Sequence, residues 1–110
     1  MIKRNPKFVS TPKTMMVNEG ETIKLPCQVD KLENFIIIWK KGSKILALGE
    51  RPTDPADTRI RVEPLENGNR LVISLADYEV DDGEFTCQLS ALKVIELTHT
   101  VRVRGEHSNH

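Results

Sequence analysis

Residues 81–89 read DDGEFTCQL. From Phe85 onward the run alternates: Phe85, Cys87 and Leu89 are apolar, while Thr86 and Gln88 are polar. Successive side chains of a strand point to opposite faces, so this pattern predicts a strand with one face on a core and the other in water. Working outward, TIKLPCQV (22–29) places Ile23, Leu25 and Cys27 on one face and Lys24, Pro26 and Gln28 on the other. Pro26 fits a strand only where its missing N–H is not needed. RIRVE (59–63) turns Ile60 and Val62 inward, RLVISL (70–75) turns Leu71, Ile73 and Leu75, and ELTHTVRV (96–103) turns Val101 and Val103. ENGN (66–69) between the first two is a hairpin signal, with Asn67-Gly68 suited to a type I′ turn.

One segment breaks the alternation. FIIIW (35–39) is five apolar residues in a row, with the first polar side chain at Lys40. KKGSK (40–44) then predicts a turn at Gly42 and Ser43, ILALG (45–49) a return strand, and ERPTDPADT (50–58) a polar loop. Short strands separated by turns, with no helical stripe, predict an all-β two-sheet sandwich.

At 110 residues the chain is one domain with a single core. Sixteen basic residues balance sixteen acidic ones, which argues against a nucleic-acid binder driven by phosphate contacts. No apolar run approaches the roughly 18–20 residues of a membrane span, and no cationic amphipathic helix offers direct membrane contact. MIKRNP (1–6) reads as a flexible N-terminal flank and GEHSNH (105–110) as a linker or tail, leaving 7–104 as the domain.

Cys27 and Cys87 lie far apart and lack both the close-set pairs of a zinc site and the C-x-x-C of redox enzymes. Two readings stand: buried free thiols, or a bridge stabilising by roughly 4 kcal/mol. Ser10, Ser43, Ser74 and Ser90 sit in no nucleophile motif, and neither H-E-x-x-H nor a phosphate loop is present, so no catalysis and no cofactor are expected. Met15 and Met16 read as edge packing, His99 as a structural or solvated residue, and His107 and His110 as tail. Glu79, Asp81 and Asp82 cluster but supply too few oxygens for calcium.

Cys27, Trp39 and the Asp81-x-Gly83-x-Phe85-x-Cys87 ending together resemble the immunoglobulin fold over roughly residues 7–104. The resemblance implies a Cys27–Cys87 disulfide between strands B and F, with Trp39 of strand C packed on it. It also implies an Arg59–Asp81 pair under the E–F corner. The family usually carries tyrosine where this chain has Phe85; losing that hydroxyl costs the corner on the order of 1 kcal/mol. A C′ strand in WKKGSKILALGE (39–50), with room for a short C″ segment, points to a V-type or intermediate I-type domain.

EGETIKLPC, IIWKKGSKILALG, TRIRVE and DDGEFTCQLS are similar to the first domain of neural adhesion proteins, the IgLON and lachesin group and the insect Dpr and DIP receptors. That likeness implies an extracellular, cell-surface module of a membrane-anchored parent. Its partner would be another immunoglobulin-superfamily domain, possibly itself, bound through the GFCC′ sheet face. A disulfide also belongs to an oxidising compartment. None of Asn5, Asn18, Asn34, Asn67 and Asn69 begins an N-x-[ST] sequon, so the sheet faces carry no N-glycan at these positions.

With Trp39 inward, Phe35 and Ile37 join it, and Ile36, Ile38 and Lys40 point outward. Thr86, Gln88 and Ser90 point outward on the neighbouring strand. Leu46 and Leu48 are expected to complete the face, with Ile45 and Ala47 the other parity, and Arg102 approaches from strand G. The expected binding residues are therefore Ile36, Ile38, Lys40, Leu46, Leu48, Gln88 and Ser90, an apolar centre with a polar rim. The alternatives are that the C′–D loop or a terminal segment covers the isoleucines, that a bulge shifts their parity, that the domain is a non-binding spacer in a multidomain chain, or that the face receives a soluble protein ligand.

Overall fold

A computed structural model describes residues 6–105. Its strands run in chain order β1 (Lys7–Phe8), β2 (Thr14–Asn18), β3 (Ile23–Asp30), β4 (Ile37–Lys41), β5 (Lys44–Leu48), β6 (Arg51–Pro52), β7 (Ile60–Leu65) and β8 (Gly68–Ile73). A single helical turn, α1 (Tyr78–Asp81), precedes β9 (Gly83–Leu89) and β10 (Ile95–Arg104). The strands form two sheets, ordered β1-β3-β8-β7 and β2-β10-β9-β4-β5-β6. This is the predicted all-β sandwich, and β6 supplies the short C″ segment.

The alternation read from the sequence sets the core. Ile23, Leu25 and Cys27 of β3 meet Leu71 and Ile73 of β8, and across the sandwich lie Ile37, Trp39, Phe85, Cys87 and Leu89, all buried in one cluster. Cys27 and Cys87 are bonded, with their Cα atoms 6.4 Å apart, so the bridge ties the two sheets through their centre. Trp39 stands opposite Cys87 in the β4–β9 register. Its indole Nε1–H donates to Asn69 Oδ1 at 2.8 Å, which satisfies two polar groups inside the core.

Several local expectations change. Pro6 and Gly105 are buried, so packing reaches one residue further at each end than the expected 7–104. The remainder of the expected flank and tail, with His107 and His110, lies outside the described residues. Leu75 is exposed because β8 ends at Ile73 and Leu75 takes a left-handed φ of 56°, turning the chain toward α1; Ala76 is buried in its place. The β7–β8 turn is centred on Glu66 and Asn67, with only Asn67 (φ 56°) left-handed. Gly68 is instead paired in β8, where a Cβ would strike the Cys27 carbonyl oxygen; close backbone approach, rather than the turn, demands glycine here. Phe35 precedes β4 and is half-buried beside Leu32 and Ile36, outside the core cluster.

The N-terminal segment crosses between sheets. β1 pairs antiparallel with β3, and β2 pairs parallel with β10. Met15 packs against the core while Met16 is exposed, as the two faces of an edge strand require.

Candidate protein-binding face

The sheet of β10, β9, β4, β5 and β6 has one face on the core and one toward solvent. Two cross-strand rows organise the outer face. Glu96, Gln88, Ile38, Leu48 and Arg51 stand side by side across all five strands. Thr98, Thr86, Lys40 and Ile45 form the next row. Neighbours in such rows are the closest side-chain pairs a sheet makes. Polar members tie to one another, Gln88 Nε2 donating to Glu96 Oε1 at 3.1 Å and Thr86 bonding Thr98 at 3.0 Å.

Ile36, Ile38 and Lys40 lie where parity from Trp39 places them. Ile38 and Lys40 are half-buried, and Ile36 is 51% exposed. Ile36 is held by a two-way clip to the end of β9: its N–H donates to Ser90 Oγ (2.8 Å), and its carbonyl accepts from the Ser90 N–H (3.0 Å). Ser90 is therefore a positioning residue for the apolar centre as well as part of the surface.

Leu46 does not belong to the face. The β4–β5 register slips between Trp39 and Lys40, so that Trp39 opposes Ala47 while Lys40 opposes Ile45. Leu46 is the extra residue of this bulge and turns into the core, 6% exposed, next to the equally buried Ala47. The outward residues of β5 are Ile45 (41% exposed) and Leu48 (48%). Each of the two parities expected from sequence was half right, because a bulge breaks parity within the strand. Ile45, offered only by the second parity, thus joins Leu48 on the face. The β9–β10 turn adds two exposed apolar side chains, Leu92 and Val94, at the same end as Ile36. Apolar residues inside a turn were the available signal for them. Arg102 sits further along β10 and pairs with Asp82 at 3.5 Å, away from the apolar row.

The support for the face comes from the corner below. Arg59 Nη1 donates to Asp81 Oδ2 at 2.7 Å and to the Leu75 carbonyl at 3.1 Å, while Nη2 donates to Asp81 Oδ1 at 3.3 Å. Asp81 Oδ2 also accepts from the Asp77 N–H at 2.8 Å, and the hydrogen bonds to Asp81 hold the Arg59 guanidinium above its ordinary value. The corner that lacks a tyrosine hydroxyl at Phe85 is therefore fastened by Arg59. Phe85 is buried under the Lys41 ammonium, 5.8 Å from its ring centroid. Asp82 accepts from the Val103 N–H at 2.8 Å. Among the described residues no three His, Cys, Asp or Glu side chains gather as a metal site.

Two sheets in this order, bridged between β3 and β9 with a tryptophan opposite the bridge, define an immunoglobulin-type domain. The family description "Immunoglobulin I-set domain" matches residues 6–104, and the chain belongs to that family. Protein turtle of Drosophila melanogaster is 34% identical over 99 residues, which is 89% of this chain and 6% of turtle. The chain thus spans a small part of that relative. A chain of the complex of Dpr11 IG1 with DIP-gamma IG+IG2 superposes with a TM-score of 0.85 at 23% identity, covering 93% of this chain and 52% of that one. The RIG-5 IG1 homodimer does so with 0.82 at 18%, covering 92% and 99%. At such identities these structures establish the fold. The likeness to Dpr and DIP domains expected from the sequence is borne out in the fold, and the I-set family is not one of enzymes.

Proposed function

We propose that this domain is an extracellular recognition or adhesion module that binds another immunoglobulin domain, a second copy or a different chain, through the outer face of β10, β9, β4, β5 and β6. The observation that carries the reading is the apolar centre of Ile36, Ile38, Ile45 and Leu48, open to solvent and rimmed by Glu96, Gln88, Thr98, Lys40 and Arg51. An apolar centre inside a polar rim is the anatomy of a protein interface. Burying two isoleucines contributes roughly 3–6 kcal/mol before association costs. With Ile45 and Leu48 added, that suits a micromolar contact strengthened by avidity between cell surfaces. The disulfide fits an oxidising extracellular setting, and the parent is then a cell-surface protein anchored outside this segment. The immunoglobulin–immunoglobulin complexes named for Dpr11 and RIG-5 support the same reading.

Sedimentation velocity over a concentration range, on the wild type and on Ile38→Asp, tests it. A wild-type dimer at micromolar concentration and a folded monomeric mutant establish the face as a homophilic site. If the wild type stays monomeric, the same pair of proteins is titrated against immunoglobulin domains of other cell-surface chains. Binding that Ile38→Asp abolishes supports a heterophilic face. A partner whose binding Ile38→Asp leaves unchanged, or no immunoglobulin partner at all, returns the domain to the spacer or soluble-ligand reading.

A further inference from the structure

His99 is a fully buried histidine in the middle of β10, with both ring nitrogens engaged. Its Nδ1 lies 3.1 Å from the Lys13 N–H, and its Nε2 lies 2.8 Å from the Pro26 carbonyl oxygen. A backbone N–H only donates and a carbonyl only accepts, so the partners dictate the neutral tautomer with hydrogen on Nε2. The two groups it satisfies are those the N-terminal crossover leaves without a strand partner. β1 reaches β3 only at Asp30 and Val29, extended by the Val9 N–H to the Gln28 carbonyl and by Ser10 Oγ accepting from the Gln28 N–H. Pro26 therefore faces a gap on that side, where its missing N–H costs nothing but its carbonyl still needs a donor. Lys13, just before β2, is gripped twice by β10: its N–H by His99, its carbonyl by the Thr100 N–H at 2.8 Å.

We infer that His99 is an acid-sensitive latch holding the N-terminal crossover at Lys13, and with it the start of β2, on the sandwich. Protonation places hydrogen on Nδ1, directly against the Lys13 N–H, and turns an acceptor into a second donor with no acceptor to receive it. It also buries a charge. The rings and groups around His99 offer little to neutralise that charge: Trp39 of β4 stacks at 6.2 Å between centroids, Phe85 of β9 is its register partner, Pro26 of β3 gives one carbonyl, and the charged group acting on it is the Lys13 ammonium. Burial pushes the imidazolium below the ordinary histidine range; the Pro26 bond opposes this and the Lys13 charge adds to it. A lowered folded value means that the latch's full stabilisation is present above about 6.5, the unfolded value, and is lost as pH falls from there through the folded value. β2 is an edge strand of its sheet. Releasing it uncovers the backbone edge of β10, which is then open to strand exchange with a second copy.

Hydrogen exchange from pH 7.5 to 5, corrected for intrinsic rates, reads the latch while the His99 ring is titrated by NMR. The expected result is loss of protection in residues 13–18, approaching tenfold per pH unit between about 6.5 and the lowered folded value, with β8, which exchanges through global unfolding, staying better protected than 13–18 at every pH. His99→Phe is expected to leave 13–18 equally open at every pH. Protection of 13–18 that does not change with pH, 13–18 no less protected than β8, or the same pH dependence in His99→Phe overturns the inference. If His99→Phe does not fold, the wild-type contrast between 13–18 and β8 decides alone.

Discussion

Truncating Leu46 and its neighbours one at a time reads the β5 bulge directly. Leu46 is 6% exposed and lies beside Ile60, Ile73 and Phe85 on a cleft of about 200 Å³ at the edge of the sandwich. Buried Leu→Ala changes cost about 2–5 kcal/mol, the transfer free energy of the lost atoms plus a cavity term. Because the cleft is open to water, the hole left by Leu46→Ala fills with solvent, and the cost falls at the lower end, about 2–3 kcal/mol. Leu48 is 48% exposed, and Leu48→Ala removes atoms that already meet water, so the cost stays near about 0.5 kcal/mol. At about 4–8 °C per kcal/mol for a domain of this size, Leu46→Ala lowers Tm by about 10–20 °C and Leu48→Ala by a few degrees. Urea unfolding at unchanged m-value gives the free energies. Binding is expected to show the opposite order, lost in Leu48→Ala and Ile45→Ala and kept in Leu46→Ala below its melting range. Equal stabilities for the two leucine variants, or a larger loss for Leu48→Ala, refute the bulge and with it the composition of the face.

Other perturbations test the frame that presents the face. Asp81→Ala removes the acceptor of two Arg59 bonds and of the Asp77 N–H; with Arg59 partly exposed, the expected loss is about 2–3 kcal/mol in chemical unfolding. Gly68→Ala drives a Cβ into the Cys27 carbonyl and within 2.8 Å of the Gln28 Cα, and thermal melting is expected to show a loss of at least about 2 kcal/mol. Reducing the Cys27–Cys87 bridge is expected to cost about 4 kcal/mol, read as a fall in Tm on adding a thiol.

The residues that were legible in the sequence are those whose environment a period of two determines. Ile23, Leu25, Cys27, Leu71, Ile73, Phe85, Cys87 and Leu89 all face the core as their alternation predicts. Trp39 fixed the parity of FIIIW, which placed Ile36 and Ile38 on the open face. The sequence leaves His99 either structural or solvated, and the structure buries it in line with Val101 and Val103. Its two bonds depend on a crossover between sheets, and no local pattern encodes that. The β5 bulge was illegible for a related reason. It is a property of how two strands pair, and ILAL is equally apolar on both parities. Asn67-Gly68 misled because glycine serves both turns and close approach, and only the tertiary contact with β3 separates them.

Which isoleucines meet a partner decides the binding face, and the chain carries its own reporters. With isoleucine δ1 methyl groups labelled, NMR spectra are recorded as the domain is concentrated or a binding immunoglobulin domain is added. Ile36, Ile38 and Ile45 are predicted to shift or broaden, while Ile23 and Ile73 in the core and Ile60 on β7 stay in place. Saturable binding that moves Ile60 and leaves Ile36, Ile38 and Ile45 untouched would contradict the proposed face outright.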